Sequence, residues 1–211
     1  MYPMESMTKN SYQKKIAYFD EQVQAPWSAM VYGENEKKKL DRLFSHTGSL
    51  DGLTILEPGC GTGRLTEVLS NQVGAKGKVV ALDISPRMID VARERLSGHQ
   101  NVETHTAAIE DFPLKRESFD LILCHQVFPH FEDKAKVLKV LAGALKPGHR
   151  LIVIHFINFE EINNLHRKAG TAVEHDMMPP NKEMERLFRE AGLKIEFLLD
   201  DELGYFLSSG K

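Results

Sequence analysis

The chain reads as an α/β protein, a parallel sheet covered by helices on both faces. Three observations lead there. Short apolar, β-rich runs alternate along the chain with segments of helical apolar spacing; the first run enters a glycine-rich turn that opens a helix; and the second run ends on an acid. Strands separated by helices are joined by crossovers, and crossovers generate parallel pairing with both faces covered.

The elements follow in order. Residues 11–23 and 34–44 are polar-rich amphipathic helices, separated by Ala25-Pro26-Trp27. The first strand is 54–57, and 64–73 is the helix after it, with Leu65, Val68 and Leu69 at helical spacing. The second strand, 78–83, leads to a helix over 86–96, capped by Ser85 with proline at the first position, where a missing N–H costs nothing. Strands three and four are 102–106 and 120–124. Asp133 caps a helix over 134–145 that Pro147-Gly148 stops, and 150–155 is the fifth strand. A helix over 160–169, a loop through Met178-Pro179-Pro180 and a helix over 182–191 ended by Gly192 come next. Residues 194–199 and 204–208 close the pattern as two strands that a hairpin can join.

The turn Glu57-Pro58-Gly59-Cys60-Gly61-Thr62-Gly63 carries the first functional signal. Glycine reaches positive φ at little cost and lets backbone N–H groups touch a ligand at the mouth of the next helix. A dinucleotide fingerprint wants glycine or alanine where Arg64 stands, so the spacing is Gly-x-Gly-x-Gly instead. Asp83, at the tip of the second strand, is placed to accept both hydroxyls of a ribose.

With 211 residues the chain suits one domain. A formal charge of −3 gives no basic field, so nucleic acid is not expected as a partner. No apolar stretch is long enough to cross a bilayer and no leader is evident, from which a cytoplasmic protein without membrane insertion is expected. Two cysteines build no disulfide framework.

The segments E-P-G-C-G-T-G, V-V-A-L-D-I-S, I-E-D-F-P-L, S-F-D-L-I-L-C-H-Q-V-F-P-H-F and L-K-P-G-H-R-L-I-V resemble, in order and spacing, the class I S-adenosylmethionine-dependent methyltransferases. The resemblance runs from about Leu53 to about His155. It implies a Rossmann-like seven-stranded sheet in the order 3-2-1-4-5-7-6 with the last strand antiparallel, residues 1–50 as an amino-terminal helical lid and 51–211 as the core of a single domain. It implies S-adenosylmethionine as cofactor and a small-molecule methyl acceptor. Carried over position by position, Glu57, Gly59, Cys60, Gly61 and Gly63 serve the methionine and ribose parts, and Asp83 takes the ribose hydroxyls. Ile84 lies against the adenine, and Ile109, Glu110 and Asp111 read its edge. Cys124, His125 and Gln126 border the sulfonium. The sequence departs from the family at Ala108, where many relatives carry aspartate, which leaves the adenine contact either to the Ile109 and Glu110 backbone or to Asp111.

The acceptor is less legible. No Asn- or Asp-Pro-Pro-aromatic tetrapeptide follows the fourth strand, which disfavours an exocyclic amine and leaves an oxygen, carbon, sulfur or cyclic-nitrogen nucleophile. Methyl transfer needs a general base only when the nucleophile must lose a proton. His125, His130, His155, His166 and His175 are expected on the same rim, and imidazole titrates near working pH, so His155, His130 and His125 are the catalytic candidates, with His130 or His166 as the partner of His155. Their spacings form no specific metal motif, and no metal is expected. Tyr12, Tyr18, Phe19 and Trp27 are candidates to line the lid. Two other readings stand beside this one: a non-catalytic cofactor- or partner-binding module, and an NAD(P)-dependent oxidoreductase. Arg64 and the missing Tyr-x-x-x-Lys spacing weigh against the latter.

Overall fold

The computed structural model describes residues 4–25, 32–170 and 172–211. Its seven strands are β1 (Thr54–Pro58), β2 (Lys78–Asp83), β3 (Val102–Thr106), β4 (Phe119–His125), β5 (Leu145–His155), β6 (Lys194–Asp201) and β7 (Gly204–Gly210). They form one sheet in the order β3-β2-β1-β4-β5-β7-β6. The first five strands pair in parallel, and β7 runs antiparallel to both β5 and β6. Around them lie α1 (Met4–Glu21), α2 (Glu34–Thr47), α3 (Arg64–Val73), α4 (Pro86–Arg95), α5 (Lys134–Ala144), α6 (Phe159–Lys168) and α7 (Asn181–Glu190).

Side chains alternate across a strand, and here they build two cores. Ile55, Val79, Leu121, Leu123, Ile152 and Ile154 pack on one face with Leu40 and Leu43 of α2 and Leu65, Leu69 and Val73 of α3. Leu56, Val80, Ile122, Leu151 and Val153 pack on the other with Val137, Leu138 and Leu141 of α5 and Met184, Leu187 and Phe188 of α7. Fully burying a side chain of this size stabilises the fold by roughly 1.5–3 kcal/mol, so these layers hold the strand ends in place.

Ser85 caps α4 as its sequence position implies: its Oγ accepts from the Met88 N–H at 3.0 Å, with Pro86 at the first helical position. The Asp133 carboxylate accepts from the Lys136 N–H at 2.9 Å and opens α5. Most boundaries agree with the sequence reading to within three residues, and the following differences bear on the architecture. α1 begins earlier, at Met4, and its expected last turn is a short 3-10 turn over Gln22–Gln24. α5 stops at Ala144, before Pro147-Gly148, because Leu145 pairs with Phe119 and already belongs to β5. β5 therefore starts five residues ahead of the expected 150. The β6–β7 connection is also tighter, since Asp201 pairs with Gly204.

Register sets the site. Pro58 stands beside Leu82, His125 beside Ile154, and His155 beside Tyr205, which brings the carboxyl ends of β1, β2, β4 and β5 to one edge of the sheet.

Candidate active site

Beyond that edge lies a cavity of about 420 Å³. Open α/β sheets bind ligands at this place, outside the carboxyl ends of their strands. One end is walled by the β1–α3 turn, Asp83, Ile84, Ile109 and Glu110; the other is walled by His125, His130, His155 and His166.

The turn has positive φ at Gly59, Gly61 and Gly63. At Gly59 a Cβ would fall 2.2 Å from Val127 Cγ2, so this glycine lets the turn pack against the loop after β4. At Gly61 a Cβ would meet no protein atom within 4 Å, although Gly61 lines the cavity; open space begins there. Gly63 is the left-handed N-cap of α3.

Two carboxylates brace the turn. Asp83 Oδ2 accepts from the Gly61 N–H and Oδ1 from the Ser85 N–H, each at 2.9 Å. Burial pushes the Asp83 carboxyl up to about 6, with the backbone N–H groups pulling against it. Glu57 is 1% exposed and accepts from Thr66 Oγ1 at 2.7 Å. Burial lifts it to about 8. Glu57 stands behind the turn, and with Gly63, Asp111 and Cys124 it is a candidate that does not line the cavity. Cys60 and Cys124 are free and buried, and burial pushes both thiols up, so neither is a thiolate at neutral pH.

Glu110 divides its two oxygens. Oε1 accepts from the Tyr12 hydroxyl at 2.6 Å, whereas Oε2 is buried and has no partner. Arg64, the first residue of α3, lines the cavity with its guanidinium 4.2 Å from the Tyr32 ring centre and Nη2 3.2 Å from Glu36.

At the other end four imidazoles converge. Burial lowers His125 to about 3, helped by the Arg64 charge. His155 is pushed well below its ordinary value by burial, then by His125, His130 and His166 around it. Burial and His130 bring His166 to about 4. These rings are neutral at physiological pH, and His125 Nε2, His155 Nε2 and His166 Nδ1 are buried with no hydrogen-bond partner. The walls between them are apolar: Phe131, Ile157, Ile162, Leu165 and Val173. Gln126, also lining, holds φ +54°, a conformation rare for a residue with a side chain, while its N–H bonds to Ile154 O at 2.9 Å.

α1 covers the cavity with Tyr12, Tyr18 and Phe19, whereas Trp27 lies outside the described residues. Asp20 fastens the end of the helix, its Oδ1 accepting from Ser85 Oγ at 2.5 Å. Sequence reasoning named twelve of the lining residues among its cofactor and acceptor-pocket candidates, Gly59, Cys60, Gly61, Asp83, Ile84, Ile109, Glu110, His125, Gln126, His130, His155 and His166, and its lid candidates Tyr12, Tyr18 and Phe19 line the cavity too; His175, expected on the same rim, is instead exposed on the loop after α6 and does not line it. It missed Arg64 as a wall, Tyr32, and the polar partners Lys15 and Asp176. Arg64 was detectable from its position at the start of α3, next to the glycine turn.

Residues 49–192 match the family described as Methyltransferase domain. The chain is 31% identical over 175 residues to demethylmenaquinone methyltransferase of Lactococcus lactis, covering 72% of this chain and 69% of that enzyme. It is 30% identical to the ubiquinone/menaquinone biosynthesis C-methyltransferase of Vibrio vulnificus, covering 70% and 66% respectively. Among solved structures, a SAM-dependent methyltransferase from Aquifex aeolicus superposes with a TM-score of 0.65 at 24% identity, over 84% of this chain and 97% of that one. Geranyl diphosphate C-methyltransferase from Streptomyces coelicolor shares the fold with a TM-score of 0.65 at 16% identity, over 78% and 60%. A glycine turn braced by Asp83, a cavity at the strand ends and these matches agree: the chain belongs to the S-adenosylmethionine-dependent methyltransferase family.

Proposed function

We propose that this chain methylates carbon on a compact, uncharged, electron-rich ring such as a reduced quinone, with neutral histidines receiving the proton. The observation that carries this reading is the acceptor end itself, where His125, His155 and His166 offer unpartnered ring nitrogens between apolar walls. Buried polar atoms without partners are costly, and a hydroxylated ring entering the cavity satisfies them. The lysines at that end, Lys15 and Lys134, are already engaged by carboxylates or carbonyl oxygens. That disfavours a diphosphate such as the substrate of the Streptomyces enzyme. The named relatives from Lactococcus and Vibrio act on quinone precursors, which supports the same class.

The opposite end fits the cofactor. Gly61 leaves open space that a Cβ would fill, Asp83 keeps acceptor capacity for two ribose hydroxyls, and Glu110 Oε2 is a buried acceptor suited to the amino group of adenine. Ile84 and Ile109 supply apolar contact for the base, and the Arg64 guanidinium suits a carboxylate. Glu57, from behind, stiffens the turn through Thr66. S-adenosylmethionine supplies a methyl group on a sulfonium and leaves as a neutral thioether. The protein therefore has to align and to exclude water rather than stabilise a new charge. α1 acts as the lid of a single domain. As the C–CH₃ bond forms, the S–CH₃ bond breaks with its electron pair on sulfur, and the acceptor's proton passes to an imidazole.

The test offers tritiated-methyl cofactor with a reduced naphthoquinone, a simple phenol, geranyl diphosphate and an alkylamine. Label is expected in a carbon–methyl product of the ring acceptors. His155→Ala should lower turnover at least tenfold while the Kd for the demethylated cofactor stays within twofold. Label in the diphosphate or the amine alone, or full turnover by His155→Ala, overturns the reading.

A further inference from the structure

Two segments far apart in sequence meet at the acceptor end. α1 carries Lys15, which is 3% exposed. Its Nζ lies 2.8 Å from Asp176 Oδ1 and 2.5 Å from Glu132 Oε1, and it donates to His130 O at 2.8 Å. The second oxygen of Asp176, Oδ2, is 2.8 Å from His130 Nδ1. One buried carboxylate thus bridges an ammonium and an imidazole.

The protonation of this bridge follows from its partners. Burial raises the Asp176 carboxyl, but the hydrogen bonds from His130 and Lys15 outweigh it and hold the group below its ordinary value. An ionised carboxylate only accepts, so the shared proton sits on His130 Nδ1. Nε2 is then the atom with the lone pair, and the His130 ring lines the cavity, with Phe19 at 5.0 Å and His166 at 4.8 Å between ring centres. Whether that ring stays neutral depends on the charges facing it. Burial lowers it, Asp176 raises it, and Lys15 and Lys134 lower it again. Glu132 is taken up by Lys15, and the neighbouring His155 and His166 are neutral. A carboxylate pair without the ammonium would favour imidazolium, which cannot accept a proton.

We propose that Asp176 is the positioning residue of His130, fixing Nδ1–H so that Nε2 is the proton-accepting atom toward the methyl acceptor, and that Lys15 completes this arrangement only when α1 is docked. The proposal rests on the methyl-transfer reading, in which the acceptor loses a proton. That proton moves from the acceptor to Nε2 as the new carbon–methyl bond forms. Asp176 then faces an imidazolium, whose proton leaves to solvent once the lid opens.

Long-range ¹H–¹⁵N correlation on the full chain, ¹⁵N-labelled at histidine, with and without the demethylated cofactor, reads the tautomer directly. His130 is expected as Nδ1–H in the wild type. In Asp176→Asn the single amide oxygen stays with Lys15 and the amide NH₂ turns toward Nδ1, so His130 should switch to Nε2–H. In Lys15→Met the tautomer should persist while the His130 pKa rises by at least one unit. On the ring acceptor that the wild type methylates, Asp176→Asn should lower kcat at least tenfold with the cofactor KM within twofold. An Nε2–H wild type, an unchanged tautomer in Asp176→Asn, or an unmoved pKa in Lys15→Met overturns the proposal. Should Asp176→Asn not fold, the wild-type tautomer and the Lys15→Met titration decide it. Failure to bind the demethylated cofactor, or to methylate any acceptor, strikes the methyl-transfer reading and leaves the tautomer result standing.

Discussion

Gly59 and Gly61 sit two positions apart in one turn, yet the same substitution should act on them differently. Both have positive φ, so alanine strains either backbone by about 1–2 kcal/mol. At Gly59 the new methyl also collides with Val127, which belongs to the loop after β4, and Gly59→Ala should lower the melting temperature markedly. At Gly61 the methyl enters the cavity, so Gly61→Ala should fold with a small loss of stability but bind the demethylated cofactor at least tenfold more weakly by calorimetry. Equal effects of the two variants on stability would contradict this division. Asp83 and the two glycines were legible in the sequence because a strand tip and a tight turn each demand a residue type. Asp176 was not legible, since its partner His130 is 46 residues away and no periodicity links a loop acid to an imidazole. Glu57 shows the opposite difficulty: its position in the motif was plain, but only the structure shows its bond to Thr66 and its place behind the turn.

Among the described residues of α1, polar contacts reach both ends of the cavity. Tyr12 meets Glu110, Lys15 meets Asp176 and Glu132, and Asp20 meets Ser85. Polar contacts exchange with water at small net free energy, so a helix held in this way can open without unfolding the sheet. Amide hydrogen exchange in residues 12–21 should slow at least tenfold when the demethylated cofactor binds, and exchange in β1 and β4 should stay unchanged. Identical exchange in α1 with and without the ligand would remove its role as a lid. The strands were legible to within a few residues from β-rich apolar runs; the start of β5 was not. Pro147-Gly148 marks a helix end in sequence, but the pairing of Leu145 with Phe119 ends α5 earlier, and such pairing is a tertiary choice that local signals do not carry.

For the whole molecule, the buried titratable groups at the two ends of the cavity pull stability in opposite directions with pH. The histidines have folded pKa values below the ordinary 6.5, so the unfolded chain binds more protons and stability is lost as pH falls below that value. Glu57 and Asp83 have raised folded values of about 8 and about 6, so their contribution is present at low pH and lost as pH climbs through those values. Four imidazoles against two carboxyls leave an acid-side slope on the order of 3 kcal/mol per pH unit at most. The melting temperature should therefore peak near pH 6–7, fall steeply toward pH 4.5 and decline gently toward pH 8. Calorimetric scans across that range check it, and a flat profile between pH 5 and 7 would show that the imidazoles are not buried as neutral rings. The strand order was legible only through resemblance, because the insertion of β7 between β5 and β6 depends on a hairpin that reads the same in many folds. α1 reaches one end of the cavity through Tyr12 and the other through Lys15, so on the proposed methyl-transfer reading one helix closes over both substrates. A shared lid of this kind is expected to impose a compulsory order, with S-adenosylmethionine bound first and the demethylated product released last. Initial-rate kinetics should show that product competing with S-adenosylmethionine at every acceptor concentration while remaining non-competitive toward the acceptor, and a random-order pattern would uncouple the two doors.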